Sequence, residues 1–108
     1  MSLLFWKNNK LIDGFAQAAA DDLFSYVQAD LARKHVFGLS GMPKKQSRKV
    51  EQKFRDAVLQ IKRFSESHSL GIYGKARLQQ KFDERLQELG YPNDVVKRIS
   101  ELILARNV

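Results

Sequence analysis

Apolar residues recur along the chain at three- and four-residue steps in four separate stretches, and each stretch predicts one amphipathic helix. In the first, Leu11, Ile12, Phe15, Ala16, Ala19, Leu23, Val27 and Leu31 share a face, with Asp13, Gln17, Asp21, Ser25 and Gln28 opposite. This spacing predicts a helix from about Lys10 to Arg33, capped by Asn8 or Asn9, whose short side-chain oxygen accepts an orphan backbone N–H. Gly14 weakens its first turn by about 1 kcal/mol relative to alanine.

His35 to Pro43 holds Gly38, Gly41 and Pro43 among Val36, Phe37, Leu39 and Met42, so a loop is expected there, its apolar residues tucked under the helices. A second helix is predicted from about Lys44 to Ser67, with Val50, Phe54, Ala57, Val58, Ile61 and Phe64 on one stripe. Ser65, Ser67, Ser69, Gly71 and Gly74 then interrupt the pattern. The third helix is expected from about Lys75 to Leu89, facing inward through Leu78, Phe82, Leu86 and Leu89. Gly90 suits the left-handed position that ends a helix, and Tyr91 is placed to pack back on Leu86. Pro92, Asn93 and Asp94 open a fourth helix, about Asn93 to Ala105, that would bury Val95, Val96, Ile99, Leu102 and Ile103.

No stretch alternates with period two for long enough to make a strand. Four helices with one apolar stripe each bury those stripes most simply against one another. The expected fold is therefore all-α, a small four-helix bundle spanning residues 1–108 as one domain, its last two helices an antiparallel αα-hairpin. Residues 1–9, with Leu3, Leu4, Phe5 and Trp6, read as an apolar N-terminal arm.

Composition narrows the functional classes. A chain of 108 residues, 44% hydrophobic, is long and apolar enough to form one core. It has no cysteine, so disulfides, thiolate zinc sites and cysteine nucleophiles are excluded. No apolar run reaches the roughly 20 residues needed to span a bilayer. Lys7, Asn8, Asn9 and Lys10 interrupt any export signal, which makes the cytoplasm the expected location.

The formal charge of +7 is a local feature. Between Arg33 and Arg63 the basic residues Arg33, Lys34, Lys44, Lys45, Arg48, Lys49, Lys53, Arg55, Lys62 and Arg63 face only Glu51 and Asp56. On the second predicted helix Lys44, Arg48, Arg55 and Lys62 fall within about 40° of one another, a row about 27 Å long that could follow a phosphate backbone. Neither phenylalanine nor tyrosine is interleaved among these cations to stack on bases, and a charged outer face also serves solubility.

Other chemical signals are thin. The Gly90 turn suggests a helix-turn-helix, but Leu86 stands where closely crossing helices need a small side chain, so a plain hairpin fits better. Gly71-Ile72-Tyr73-Gly74-Lys75 lacks the first glycine and the hydroxyl of a P-loop and lacks the sheet that a GxxG clamp requires; it reads as a turn with Ile72 and Tyr73 anchored on the core. His35, expected in a loop, and His68, at a helix end, have no carboxylate or histidine at metal-binding spacing, and no cofactor is implied. Leu4, Phe5 and Trp6 are the candidate partner contact, closing one end of the core or meeting a second copy; the acidic face of the adjoining helix argues against anionic lipid. The expected function is thus a non-enzymatic helical protein-interaction module, with nucleic-acid binding through Lys44, Arg48, Arg55 and Lys62 as the alternative.

Overall fold

A computed structural model describes the backbone of residues 2–39 and 41–104, and the side chains of 9–39 and 41–103. Five helices follow in order: α1 (Ser2–Tyr26), α2 (Ala29–Val36), α3 (Lys44–Ser67), α4 (Ile72–Leu89) and α5 (Asn93–Leu104). No strand occurs among the described residues. The predicted second helix is found end for end as α3, and one contiguous apolar cluster draws on all five helices.

The helix directions follow from who meets whom. Arg77 reaches Asp13 at 2.8 Å and Arg85 reaches Asp21 at 2.7 Å, so partners advance together and α4 runs parallel to α1. Phe15 stacks on Phe64 while Tyr26 meets Lys53, so α3 runs antiparallel to α1. The αα-hairpin of α4 and α5 turns through Gly90 to Pro92. The α1–α4 seam is the most extensive in the molecule. Both ion pairs join residues 64 apart, which sets Phe82 level with Ala18, among the buried Ala16, Ala19 and Ala20. Small residues on α1 therefore admit the bulk of Leu78, Phe82 and Leu86 on α4, all at most 1% exposed. Burying each such side chain is worth about 1.5–3 kcal/mol.

Four helices were expected and five are found, because the first predicted helix breaks at Gln28 (φ −68°, ψ 165°). The reason lies in the angular positions of its buried residues. On one straight helix Ala32 and Val36 would stand about 140° and 180° from Val27, yet all three are buried. The break lets α2 turn Ala32 and Val36 towards α3 and α5 while Val27 stays buried just past the end of α1. It also frees the Val27 carbonyl, which accepts a hydrogen bond from the Tyr91 hydroxyl.

Tyr91 thus joins two helix ends. Its N–H bonds the Leu86 carbonyl at 3.1 Å and Gly90 N–H bonds Gln87 at 3.1 Å, with Gly90 at φ 119°, the Schellman closure expected for α4. Its ring meets Phe24 edge-on at 5.1 Å. Ser69 closes α3 in the same way, with Leu70 N–H bonded to Ser65 and φ of 50° at a residue that has a Cβ.

Further expectations need correction. Residues 2–9 are not a separate arm: the helix starts at Ser2, ahead of the predicted Lys10. The side chains of Leu4, Phe5 and Trp6, the candidate partner contact, lie outside the described residues. Gly71 to Gly74 is not a loop but the cap and first turn of α4, where a Cβ on Gly74 would stand 3.2 Å from Leu70 Cβ. Ile72 and Tyr73 are 92% and 54% exposed instead of anchored on the core, and Phe37 and Leu39 also face outward from the α2–α3 connection.

Replacing Tyr91 with phenylalanine leaves the Val27 carbonyl without its partner in a buried place, and urea unfolding should show a loss of about 1–3 kcal/mol. An unchanged midpoint would refute the role given to this hydroxyl. Ser69→Gly removes a strained backbone position and should raise stability by about 0.5–1 kcal/mol, as read from the same titration.

Candidate functional site

The sequence directs attention to α3, and the structure leaves that helix with unmatched charge. Elsewhere the described arginines and Lys81 are tied to neighbouring carboxylates, Arg33 to Asp94, Arg77 to Asp13, Lys81 to Glu84, Arg85 to Asp21 and Glu88, Arg98 to Glu101, whereas Lys34, Lys75 and Lys97 have no carboxylate within 4.0 Å among the described residues. On α3 only Arg55 is so engaged, with Glu51 at 2.8 Å. Among the described residues no carboxylate stands within 4.0 Å of Lys44, Lys45, Arg48, Lys49, Lys62 or Arg63. All of them are exposed, as are the four candidate phosphate contacts Lys44, Arg48, Arg55 and Lys62. In that row Arg55 is therefore partly neutralised by its neighbour Glu51, while the other three are not.

Beside the row lies a cleft of about 470 Å³ that the sequence did not disclose, because its walls come from α1, α2 and α3 together. Leu31 and Val50 lie among its lining with Tyr26, and Gln46, Lys49, Gln52 and Lys53 complete it. Val50 is buried, whereas Tyr26 remains 60% exposed. The Lys53 ammonium sits 3.4 Å from the centre of the Tyr26 ring, close enough for a cation–π contact that holds the phenol at the edge of the cleft. Apolar surface beside unneutralised ammonium groups suits an amphipathic anion. A larger cleft of about 800 Å³ between α2, α3 and α5 has Phe54, Val58 and Ile103 among its lining. Its two arginines are already engaged, Arg55 by Glu51 and Arg98 by Glu101 and the Val36 carbonyl.

His35 lies in the last turn of α2, not in a loop, and stacks on Phe54 at 4.7 Å. Burial lowers its pKa against the opposing pull of Glu51, so the ring is neutral at pH 7. His68 caps α3 and lies against Phe64. Among the described residues no three histidine, aspartate or glutamate side chains gather where they would hold a metal ion, and no helix is long and apolar enough to cross a membrane.

One titratable group escaped the sequence reading. Asp83 lies between α4 and α5, with Ser100 as its hydrogen-bond partner and one carboxylate oxygen buried without any. Gln79 donates to the same Ser100 hydroxyl at 3.2 Å. Burial raises the Asp83 pKa to about 6, the Ser100 hydrogen bond opposing the shift. Its spacing from Gln79 looks like any solvated helix edge; only the approach of α5 covers it.

Compared with protein-family models, with curated proteins and with solved structures, the chain has no significant match. The fold and the charge pattern alone define what is present: an all-α helical bundle with one strongly basic helix beside a small, partly apolar cleft.

The folded Asp83 carboxyl holds its proton more tightly than the unfolded one, so its contribution to stability is complete below the unfolded value near 3.8 and lost as pH rises through about 6. Asp83→Asn should therefore be more stable than the parent by about 1–2 kcal/mol at pH 7 and lose that advantage at pH 4. A difference that does not vary between the two pH values, measured by urea unfolding, would contradict this account of the site.

Proposed function

We propose that the protein is a non-enzymatic interaction module whose partner is an acidic, amphipathic protein segment docked in the cleft formed by Tyr26, Leu31 and Val50. The observation that carries this reading is the conjunction of that apolar lining with Lys49 and Lys53, on the helix whose charge the fold leaves unmatched. A helix laid in a groove supplies what such a surface lacks: an apolar stripe for the lining and carboxylates for the rim. Electrostatic steering by the basic face would raise the association rate, and contact with Leu31, Val50 and Tyr26 would hold the complex. The absence of cysteine supports residence in a reducing compartment such as the cytoplasm.

The second reading, nucleic-acid binding along Lys44, Arg48, Arg55 and Lys62, is favoured by a different observation. Three of these four cations have no carboxylate neighbour among the described residues and stand along one edge of α3. The two readings respond to different substitutions. Fluorescence anisotropy with a labelled leucine- and glutamate-rich helical peptide should show binding that Lys49→Glu with Lys53→Glu weakens by about tenfold or more, while Arg48→Glu with Arg55→Glu has the smaller effect. If the peptide does not bind, and a labelled DNA or RNA duplex instead binds with affinity falling steeply with salt and abolished by Arg48→Glu with Arg55→Glu, the phosphate reading replaces the first.

A further inference from the structure

The turn between α3 and α4 holds a groove that neither reading accounts for. Lys62, Ser65, Glu66 and Ser69 follow at three- and four-residue steps, so they share one side at the end of α3. That helix closes with Leu70 N–H bonded to the Ser65 carbonyl at 3.0 Å and Ser69 N–H bonded to the Glu66 carbonyl at 3.2 Å. The closure turns the chain into α4, and Leu70 and Lys75 complete the lining of a groove of about 270 Å³.

Two independent features of this groove point to a ligand. Ser65 is 7% exposed, yet its hydroxyl makes no hydrogen bond with any described residue, not even with the carbonyl four residues back that helical serines commonly use. A hydroxyl drawn out of water without a partner costs stability that alanine at the same place would spare. Charge is the second feature. Neither Lys62 nor Lys75 has a carboxylate within 4.0 Å among the described residues, although both line the groove. The start of α4 lies along the chain between the lining residues Leu70 and Lys75, and its N-cap residue, Gly71, brings no side chain to the first-turn N–H groups. The positive end of that helix dipole is thus left uncapped. Glu66 is the opposing term: it lines the same groove and weakens its pull on an anion without pairing either lysine.

We propose that this groove binds a single phosphoryl group, as inorganic phosphate or the head of a small phosphomonoester, with Lys62 and Lys75 on its oxygens and Ser65 donating a hydrogen bond. A tetrahedral oxyanion offers several acceptors to the ammonium groups and the hydroxyl at once, which one carboxylate does less well. The volume lies below the roughly 300–1,000 Å³ that enclose a drug-sized ligand, so a phosphoryl group with a short substituent fits and a nucleotide does not. The site is independent of the cleft beside Tyr26 and shares only Lys62 with the row along α3.

Amide chemical shifts followed by NMR test it, with sodium phosphate in one arm and glycerol phosphate in the other. The amides of Ser69, Ile72 and Gly74 are expected to shift saturably with a dissociation constant of about 1 mM or below. Tighter binding of glycerol phosphate identifies the monoester as the occupant, and equal affinity identifies the free ion. Ser65→Ala should weaken binding by about fivefold while the urea midpoint stays the same or rises, which separates the site from the fold. Lys75→Gln should likewise weaken it by about fivefold, Glu66→Gln should tighten it by about twofold, and Arg48→Gln should leave it unchanged. The absence of saturable shifts at about 10 mM phosphate overturns the inference. So does an equal response to sodium chloride at matched ionic strength, and so does an affinity indifferent to Ser65→Ala and Lys75→Gln.

Discussion

The parallel seating of α4 on α1 is the constraint from which the remaining architecture follows. Antiparallel neighbours are joined by short turns, but a parallel pair needs an intervening element, here α3, which returns the chain to the level where α1 began. The seam works because α1 is lined with Ala16, Ala19 and Ala20 where α4 presents Phe82. Register is then held at two points by Asp13 with Arg77 and Asp21 with Arg85, partners separated by 64 residues. Half-exposed ion pairs of this kind add little to stability on their own. Their effect is on position: a shift of the seam by one turn would separate both pairs and set bulky residues against bulky residues.

From that seam the break at Gln28 acquires its reason. Once Val27 is buried, the continuing chain cannot bury Ala32 and Val36 without rotating, and an extended residue provides the rotation. The disrupted helix end leaves a carbonyl that needs a donor, and Tyr91, delivered by the closure of α4, supplies it. One aromatic side chain thereby couples the end of α1, the end of α4 and the start of α5, and Arg33 with Asp94 ties α2 to α5 nearby.

Neutralisation inside the bundle also determines what its surface offers. Because the carboxylates of α1, α4 and α5 are largely matched with arginines and lysine on the same or adjoining helices, the net charge of +7 is displayed mostly by α3. Beside α3 these cations border exposed apolar groups. The cleft bordered by Tyr26 and Val50 places an apolar lining beside Lys49 and Lys53.

Periodicity alone established that the chain is all-α, and it placed α3 to the residue and the Gly90 stop with its Tyr91 partner, because each of these depends on residues within a turn or two of one another. The basic face of α3 was legible for the same reason. The helix break at Gln28 was not, since no glycine or proline marks it and its cause is the burial of Ala32 and Val36 by helices later in the chain. Ile72 and Tyr73 were misplaced because an apolar pair gives no sign of which side will be covered. Asp83 reads as one more surface carboxylate until α5 closes over it, and Asp13 and Asp21 read as an acidic face until arginines from another helix reach them. Local spacing determines which residues share a helix face; only the packing of distant segments decides which faces are dry, which charges are matched and which remain for a partner.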